Sequence, residues 1–316
     1  MSNQAYENKT YFAMSLDPIH IGTGGYRLGR VDNTIVREAG TNLPKIPGTS
    51  IEGSARTYVY YAEQGTTGIN EACAVGKELT VGNELNKVKP CGGCPVCITF
   101  GFTKKDKSLH GMAQFSDARI LFFPVHTMIG PVWVTTPTLL NEVGLKDFTI
   151  TDENKIKTDL VEKGKKLNLG WLYLENEEKY SLNNNLNEVP DDIKKRFVLA
   201  SDKLFSHVIN SNLEVRTSVS IDPRTGAAEE GALFTYEAIP RATIFWFNLA
   251  TNDPSKFKIK SSEIFKIKSS EIESKEDVIE EVEKSFSYFE ILGIGGMQTR
   301  GFGRLRILNG GSDGSK

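Results

Sequence analysis

Alternating apolar and polar residues predict β-strands in five segments of the chain. Residues 10–21 (TYFAMSLDPIHI) alternate up to a turn, residues 33–38 form a second short strand, and residues 302–308 form the last. In residues 113–137 the alternation runs through AQFSDARILFFPV and PVWVTTP, which indicates two strands. Residues 214–248 are typical of a hairpin with its turn near DPRTG, because Asp, Pro and Gly supply turn geometry.

Three other segments have a helical periodicity. Residues 50–64 begin with Ser50, which can cap the helix, and are followed by Gly65, which ends it. A second helix is expected around residues 191–211 and a third over residues 275–292. The apolar stripes of the first and third helices consist of Ile51, Ala55, Tyr58, Val59 and Ala62, and of Val278, Ile279, Val282, Phe286, Phe289 and Leu292.

Strands on either side of single helices, separated by long insertions, predict an α+β fold. A ferredoxin-like βαββαβ core accommodates these elements. The chain is divided into a core of residues 1–65, 113–140 and 275–309, a cysteine-rich insertion of residues 66–112, a helical insertion of residues 141–213, a hairpin of residues 214–248, a surface insertion of residues 249–274 and a disordered tail of residues 310–316. The surface insertion contains a tandem FKIKSSEI repeat, too short for a solenoid.

Composition limits the classes of function. The 316 residues are 39% hydrophobic, enough for a core, and 38 basic residues nearly balance 40 acidic ones. The net charge of −2 does not by itself indicate nucleic-acid binding, so any polyanion site must come from local groups. No apolar run is long enough to span a bilayer, and the polar N-terminus lacks a signal-peptide core, so we expect a cytoplasmic protein that contacts no membrane.

All four cysteines lie in the cysteine-rich insertion. Cys91, Cys94 and Cys97 form the motif CGGCPVC, and Cys73 supplies a fourth thiolate, for which His110 is the alternative. Two-residue spacings of this kind predict a tetrahedral, structural Zn²⁺ site, which would staple an insertion that has little core of its own. The alternative is a set of reduced, metal-free cysteines.

The C-terminal segment GIGGMQTRGFGR predicts an anion site. Its glycines allow a ligand close to the backbone, and its arginines can reach phosphate. The candidate RNA-binding residues here are Gly295, Gly296, Thr299, Arg300, Gly301 and Arg304. The alternative is a tight helix-to-strand connection.

Two further segments are candidates for phosphate contacts. In PGTSIEGSAR, a helix N-terminus with Ser50 lies near Lys45 and Arg56, although an ordinary capped helix explains this segment equally well. The glycine-rich turn after His20 adds Gly22, Gly24 and Arg30 to the candidates. By themselves, His20 and Asp32 do not specify chemistry, because a lone histidine is more often structural and no second carboxylate is near Asp32 in sequence.

Together, these motifs resemble the RAMP superfamily, and within it the repeated backbone subunits of type III-B CRISPR effector complexes. The segments that carry the resemblance are IHIGTGG, VDNTIVRE, LPKIPGTSIEGSAR, CPVCITFGF, SDARILFFPVHTMIGPVWVTTP, SVSIDPRTGAAEEGALFTYEAIP and IGGMQTRGFGRL. The cysteine cluster also resembles the zinc-binding insertion of the related type III-A backbone subunit.

The resemblance implies an RRM-like palm and a β-hairpin thumb. Such subunits form a filament of their own copies on a CRISPR RNA, alongside other subunits of the complex. They cut complementary target RNA at regular intervals with Mg²⁺ or another divalent cation. Asp32 matches the family's catalytic aspartate and His20 a histidine near the site, while Glu229, Glu230 and Tyr236 belong to the matched thumb segment and can act on a neighbouring subunit's site.

Two alternatives remain within the superfamily. The chain can be a scaffold that binds guide RNA without cutting, although the presence of Asp32 favours a nuclease. It can also be a guide-processing endonuclease with His20 as base, which the thumb segment and the lack of a second nearby catalytic histidine disfavour.

Overall fold

A mixed sheet runs through the centre of the molecule. The computed structural model describes residues 5–24, 31–65, 68–80, 87–105, 107–182, 186–257 and 272–310. The strands are β1 (Tyr6–Ser15), β2 (Lys45–Ile46), β3 (Leu79–Thr80), β4 (Lys87–Val88), β5 (Gly101–Thr103), β6 (Ser108–His110), β7 (Ala113–Phe115), β8 (Ala118–Val125), β9 (Val132–Thr135), β10 (Ile156–Lys157), β11 (Lys166–Leu169), β12 (Leu172–Glu178), β13 (Phe197–Leu199), β14 (Glu214–Ile221), β15 (Ala228–Ala238), β16 (Ile244–Asn252) and β17 (Leu305–Ile307). The α-helices are α1 (Gly48–Ala62), α2 (Glu71–Val75), α3 (Pro95–Phe100), α4 (Pro137–Glu142), α5 (Asp191–Lys194), α6 (Asp202–Ser211), α7 (Lys275–Glu283) and α8 (Phe286–Ile291).

Eleven of the described strands form the central sheet. Nine follow the order β11-β12-β10-β13-β9-β8-β16-β1-β17, while β2 pairs with β8 and β7 pairs with β16. At one end, β8, β16, β1 and β17 are consecutive antiparallel neighbours. Helix α1 lies between β1 and β8 in the chain, and α7 and α8 lie between β16 and β17. The mixed α/β architecture predicted from the sequence is therefore present.

Large apolar side chains from this end of the sheet and from the helices form the core. Tyr11 and Phe247, on neighbouring strands, stack with their ring centres 5.5 Å apart. Phe286 of α8 meets the ring of Tyr11 edge-on, and Phe289 is buried against Tyr58 of α1. The contacts fix α1 and α8 on one face of the sheet, with the loop after α8 directed towards β1.

Helix boundaries differ from those predicted. The first helix begins at Gly48, whose amide donates to the Asp117 carboxylate at 2.8 Å, so Ser50 does not cap it. The segment 275–292 forms two helices, and Ser285 between them donates its hydroxyl to the backbone oxygen of Val282 at 2.6 Å. A side chain that bonds the preceding turn in this way competes with regular helical hydrogen bonds.

Residues 141–213 are not a helical insertion. They contain β10 to β13, which extend the central sheet, and the predicted helix 191–211 is divided into α5, β13 and α6. All three residues of β13 are buried between β9 and β10. A strand covered on both faces is a continuous apolar run, which periodicity alone does not distinguish from a helix.

The predicted hairpin is shorter than residues 214–248. It comprises β14 and β15, whose register runs from Glu214↔Ala238 to Ile221↔Ala228, and the following strand β16 belongs to the central sheet. Most of the FKIKSSEI repeat and most of the predicted disordered tail lie outside the described residues. In the part of the chain that is described, no helix combines the length and apolar character needed to cross a bilayer.

Candidate functional site

Asp32 is hydrogen-bonded to Thr235, which lies in the second half of hairpin strand β15. One of its carboxylate oxygens, Oδ2, accepts hydrogen bonds from the backbone amide and the hydroxyl of Thr235, both at 2.8 Å. In return, the Thr235 hydroxyl oxygen accepts from the Asp32 amide at 2.9 Å. The bonds from the Thr235 amide and hydroxyl lower the pKa of Asp32, so the carboxylate is ionised at neutral pH. Within the described residues, Oδ1 has no hydrogen-bond partner.

His20 contacts the same strand at Glu237, two residues after Thr235. Its Nδ1 lies 2.6 Å from the carbonyl oxygen of Glu237, and a carbonyl can only accept, so Nδ1 carries the proton. In the neutral ring, Nε2 is then a proton acceptor. The side chain is 93% buried, and its ring meets that of Tyr236 edge-on with centres 5.8 Å apart. Burial and two contacts fix the imidazole and leave Nε2 for chemistry.

Glycines cover His20 closely. A Cβ on Gly22 would lie 3.1 Å from Nε2, and one on Gly295 would lie 2.6 Å from the His20 carbonyl oxygen. The amide of Gly296 donates to that same oxygen at 2.9 Å. Glycine is therefore required at Gly295 for a close approach of two backbones, whereas at Gly22 it keeps Nε2 accessible.

The glycine-rich loop places a cation beside these groups. Arg300 lies over the Tyr236 ring, 5.9 Å from its centre, and within the described ranges it forms no ion pair. Thr299 is exposed next to it, and the carbonyl oxygen of Gly301 accepts from Arg216 of β14 at 3.3 Å. The loop and the hairpin are thus joined, and Arg300 remains available for an anion.

Sequence reasoning missed two members of this site, Thr235 and Glu237. Glu237 pairs with Arg37 at 2.6 Å and accepts from the Ile35 amide at 3.3 Å, which holds the Asp32 segment against β15. Their only sequence signal is their position on either side of Tyr236. Asp32, His20 and Arg300 therefore converge on the consecutive residues Thr235 to Glu237.

Glu229 and Glu230 are exposed near the outer end of β15. Glu230 is six residues from Tyr236, or about 20 Å along an extended strand. They do not reach Asp32 of their own chain, so a role for them requires another subunit's site. Gly24 is exposed with a φ of +72°, and Arg30 lies outside the described residues.

The prediction that Arg56 binds RNA is wrong. Its side chain is buried and donates to the carbonyl oxygens of Cys73, Phe100 and Gly101 at 2.6 to 3.2 Å. The guanidinium is surrounded by protein acceptors, with no room for phosphate. It links helix α1 to the cysteine-rich insertion instead.

We expect Arg56→Ala to destabilise the protein by on the order of 3 kcal/mol, because three buried carbonyls lose a charged donor. Chemical denaturation of the purified chain measures this loss. Arg241→Ala is a suitable control, because Arg241 is exposed and forms no ion pair in the described part of the chain. Equal unfolding midpoints for the two variants would contradict the structural role of Arg56.

The other groups at the start of α1 are also engaged. Lys45 pairs with Asp117, which already accepts from the Gly48 amide. The amide of Ser50 donates to the Pro47 carbonyl at 2.9 Å. A carboxylate of the protein therefore occupies the place predicted for a phosphate, and Lys45 and Ser50 do not form an open phosphate site. Arg304 is likewise held by both carboxylate oxygens of Asp17 and lowers the pKa of that acid.

The four cysteines form one cluster. The sulfur atoms of Cys73, Cys91, Cys94 and Cys97 all lie within 4.8 Å of one another. Backbone amides of Cys91, Cys94 and Cys97 point at neighbouring sulfurs at 3.2 to 3.4 Å, which favours thiolates. Hydrogen bonds from the other three thiols hold the pKa of Cys91 below its usual range.

Four converging sulfurs and buried surroundings fit a tetrahedral Zn²⁺ ion. His110 is not part of this cluster: it is exposed on β6, where its backbone pairs with Gly101. The alternative fourth ligand is therefore wrong, and Cys73 completes the set.

Comparisons with known proteins give matches over most of the chain. The RAMP superfamily model matches residues 14–306. The chain is 29% identical over 259 residues to "CRISPR system Cmr endoribonuclease Cmr4" of Pyrococcus furiosus, covering 73% of this chain and 77% of that protein.

Two solved structures share the fold. One is a chain of the cryo-EM structure of the type III-B Cmr-beta complex bound to cognate target RNA, with a TM-score of 0.60, 16% identity, and coverage of 96% of this chain and 99% of that one. The other is oligomeric Cmr4 of Pyrococcus furiosus, with a TM-score of 0.54, 20% identity, and coverage of 97% and 98%. Because the family model spans nearly the whole chain, the protein belongs to the RAMP superfamily.

Proposed function

We propose that this chain is the repeated backbone subunit of a type III-B CRISPR effector complex and an endoribonuclease that cuts target RNA. The observation that carries the proposal is the convergence of Asp32, His20 and Arg300 on residues Thr235 to Glu237. The similarity to a Cmr4 endoribonuclease supports it. Its partners are then CRISPR RNA, complementary target RNA, copies of itself in a filament and other subunits of the complex, in the cytoplasm.

The proposal also assigns the parts of the fold. The strand order β17-β1-β16-β8, with α1 after the first strand and α7 and α8 before the last, is the order of a ferredoxin-like, RRM-like palm. The hairpin β14–β15 is the thumb, and its outer half presents exposed Val219, Ile221 and Leu233. Apolar side chains at this end can separate bases, while Glu229 and Glu230 reach the site of the next copy.

The groups fit cleavage of an RNA backbone by its own 2′-hydroxyl. Nε2 of His20 is placed to accept the hydroxyl proton or to return one to the leaving oxygen. Arg300 stabilises the negative charge that grows on the phosphate. Asp32, held ionised by Thr235, orients the nucleotide through its free Oδ1. The reaction needs the 2′-hydroxyl, which restricts it to RNA.

Asp32 also fits a divalent cation such as Mg²⁺. This ion is commonly held by one or two carboxylates together with substrate phosphates and water, and Oδ1 offers one such ligand. Among the described residues, the cysteine cluster is the only group of three or more metal-ligating side chains, so phosphate and water would supply the other ligands at Asp32. When bound, the cation would neutralise charge on the phosphate. In the cysteine cluster we propose a structural Zn²⁺ ion.

The decisive experiment is cleavage of a labelled RNA, complementary to the guide, by the assembled complex with and without Mg²⁺. Evenly spaced cuts that require the cation are expected. Tight target binding without cuts would favour the alternative, a scaffold that binds guide RNA and leaves catalysis to other subunits.

We expect Gly22→Ala to slow cleavage roughly 10-fold or more, because the new methyl group would crowd Nε2 of His20. The φ of Gly22 lies outside the left-handed region, so the backbone tolerates alanine. Gly40→Ala is the matched control, since a Cβ there meets no atom within 4 Å. Single-turnover cleavage rates compare the two variants, and equal rates would remove Nε2 from the mechanism.

We expect Arg300→Ala to weaken RNA retention and to lower the salt slope of log K by about 0.7, the value for one phosphate contact on a single strand. Arg304→Ala is expected to change the slope less, because Asp17 already neutralises Arg304. Filter binding at several salt concentrations measures both variants. Identical slopes for Arg300→Ala and wild type would place Arg300 away from the phosphate.

A further inference from the structure

A shielded ion pair joins the segments that carry the proposed active site. Nη2 of Arg37 lies 2.6 Å from Oε1 of Glu237, and the two side chains are only 19% and 12% exposed. Among the described residues, neither side chain forms an ion pair with any other group. Because taking two charges out of water is costly, a pair held this way is retained only where its geometry and its further hydrogen bonds are good.

Glu237 bonds both halves of the site. Its carbonyl oxygen accepts from Nδ1 of His20 at 2.6 Å, and its amide donates to the Asn33 carbonyl at 3.0 Å. One oxygen of its side chain, Oε2, accepts from the Ile35 amide at 3.3 Å. This one residue therefore holds the His20 ring and the segment that carries Asp32, so a shift of Glu237 would displace both.

Arg37 holds Glu237 in this position. Its Nη1 donates to the Ile35 carbonyl at 3.1 Å, and its Nε donates to Oδ1 of Asn210 in α6 at 3.2 Å. The Asn210 side chain is fixed in turn, because its Nδ2 donates to the Asn42 carbonyl at 3.2 Å. Each nitrogen of the guanidinium thus has an acceptor inside the protein, a planar arrangement that lysine does not reproduce. Arg37 is therefore placed to brace the site and not to bind a phosphate.

We propose that Arg37 and Glu237 are positioning residues for RNA cleavage. The pair fixes the His20 imidazole and the Asp32 carboxylate relative to each other, and it neutralises the carboxylate that lies on the residue bonded to the imidazole. Reaction rates depend steeply on such placement, since a displacement of about 1 Å can cost roughly 100-fold. The effect on cutting rests on the proposed function, whereas the effect on His20 does not.

The charge balance of the pair acts on the protonation of His20. A Glu237 carboxylate without its cation would favour the imidazolium form, and a guanidinium without its carboxylate would favour the neutral ring. The other polar groups around the ring are Tyr236, which meets it edge-on, and Arg300 over Tyr236, with Asp32 in the same site. These groups are the same in every variant of the pair, so a change in protonation reports the pair itself.

Nitrogen NMR of the purified chain, labelled with ¹⁵N-histidine, tests the effect on His20 without any cleavage. The chain has four histidines, and the spectrum of His20→Asn identifies the signal. Wild type should show one neutral tautomer with its proton on Nδ1. Arg37→Gln should raise the pH of half-protonation by about 1 unit, and Glu237→Gln should lower it by about as much. Arg37→Lys keeps the positive charge, so its titration should match that of wild type.

Cleavage by the assembled complex measures the effect on the reaction. With saturating target RNA, Arg37→Gln is expected to slow single-turnover cleavage about 10- to 100-fold. The target concentration that gives half the maximal rate should not change, because the side chain does not contact RNA. Arg37→Lys should recover part of the rate. Arg306→Gln is the control, since it also breaks an Arg–Glu pair, but one that joins β17 to Glu290 of α8.

Two results would overturn the proposal: His20 titrations that do not move in opposite directions in Arg37→Gln and Glu237→Gln, or wild-type cleavage by Arg37→Gln. If Arg37→Gln does not fold, Glu237→Gln decides the question, because glutamine keeps the shape of the side chain and an oxygen for the Ile35 amide. Failure of the proposed function looks different. A wild-type complex that binds target RNA without cutting it would leave the opposite shifts of His20 in place.

Discussion

Asp32→Ala is expected to reduce cleavage of complementary target RNA by roughly 10²- to 10⁴-fold, the range for loss of a positioned catalytic group. The Asp32 carboxylate accepts hydrogen bonds from the Thr235 amide and hydroxyl, and its Oδ1 has no hydrogen-bond partner among the described residues. Guide RNA should stay bound, because the residue supplies no positive charge. Cleavage and guide content of the assembled complex are measured on the same preparation.

Asp253→Ala is the matched control for this substitution. Asp253 also accepts from the amide and the hydroxyl of a single residue, Ser255, at 2.9 and 2.6 Å, but it lies after β16 and outside the hairpin. It should cut like wild type. A wild-type rate for Asp32→Ala would remove Asp32 from the mechanism, and loss of guide RNA would show a folding defect instead.

The lowered pKa of Asp32 sets a pH dependence. Its folded pKa lies below the unfolded value of about 3.9, so its hydrogen bonds stabilise the fold above that pH. This stability is lost as pH falls through the folded pKa. Asp32 therefore stays ionised from neutral pH down to about pH 4, and any acidic limb of cleavage above that value arises from another group. The Asp32→Asn variant should leave the position of such a limb unchanged.

Cys94→Ser is expected to release the proposed zinc ion and to lower the melting temperature by about 10 °C or more, since metal binding supplies folding free energy by cross-linking the segments that carry the four cysteines. Cys94 is buried among the other three sulfurs. The effect should spread to helix α1, because Arg56 donates to the carbonyl of Cys73. Elemental analysis measures the zinc content, and thermal unfolding measures the melting temperature. Wild type is expected to hold one zinc ion per chain.

His110→Ala is the control for the metal site. His110 is exposed on β6, outside the cluster, so its replacement should change neither zinc content nor stability. A wild-type preparation that is reduced, free of chelator and without zinc would contradict the metal site. Zinc loss without any change in melting temperature would contradict its structural role.

The sequence alone was enough to predict the features that depend on residues close together in the chain. Two-residue cysteine spacings predicted a cluster that the fold brings within 4.8 Å, and the glycine-rich C-terminal motif predicted a loop with an available arginine. The motif resemblance indicated the superfamily that the family model matches. Such features depend on neighbours in the chain, so they can be read without the fold.

Only the tertiary structure decided which charged side chains are free. Arg56 and Lys45 have the sequence context of phosphate ligands, yet buried carbonyls and Asp117 take up their hydrogen bonds. The partners of Asp32 and His20 lie more than 200 residues away on β15. A buried donor forms a hydrogen bond with an acceptor that tertiary packing places beside it. A strand that is buried on both faces, such as β13, has no alternation of apolar and polar residues by which it could be predicted. Both effects depend on long-range packing, which local pattern does not encode.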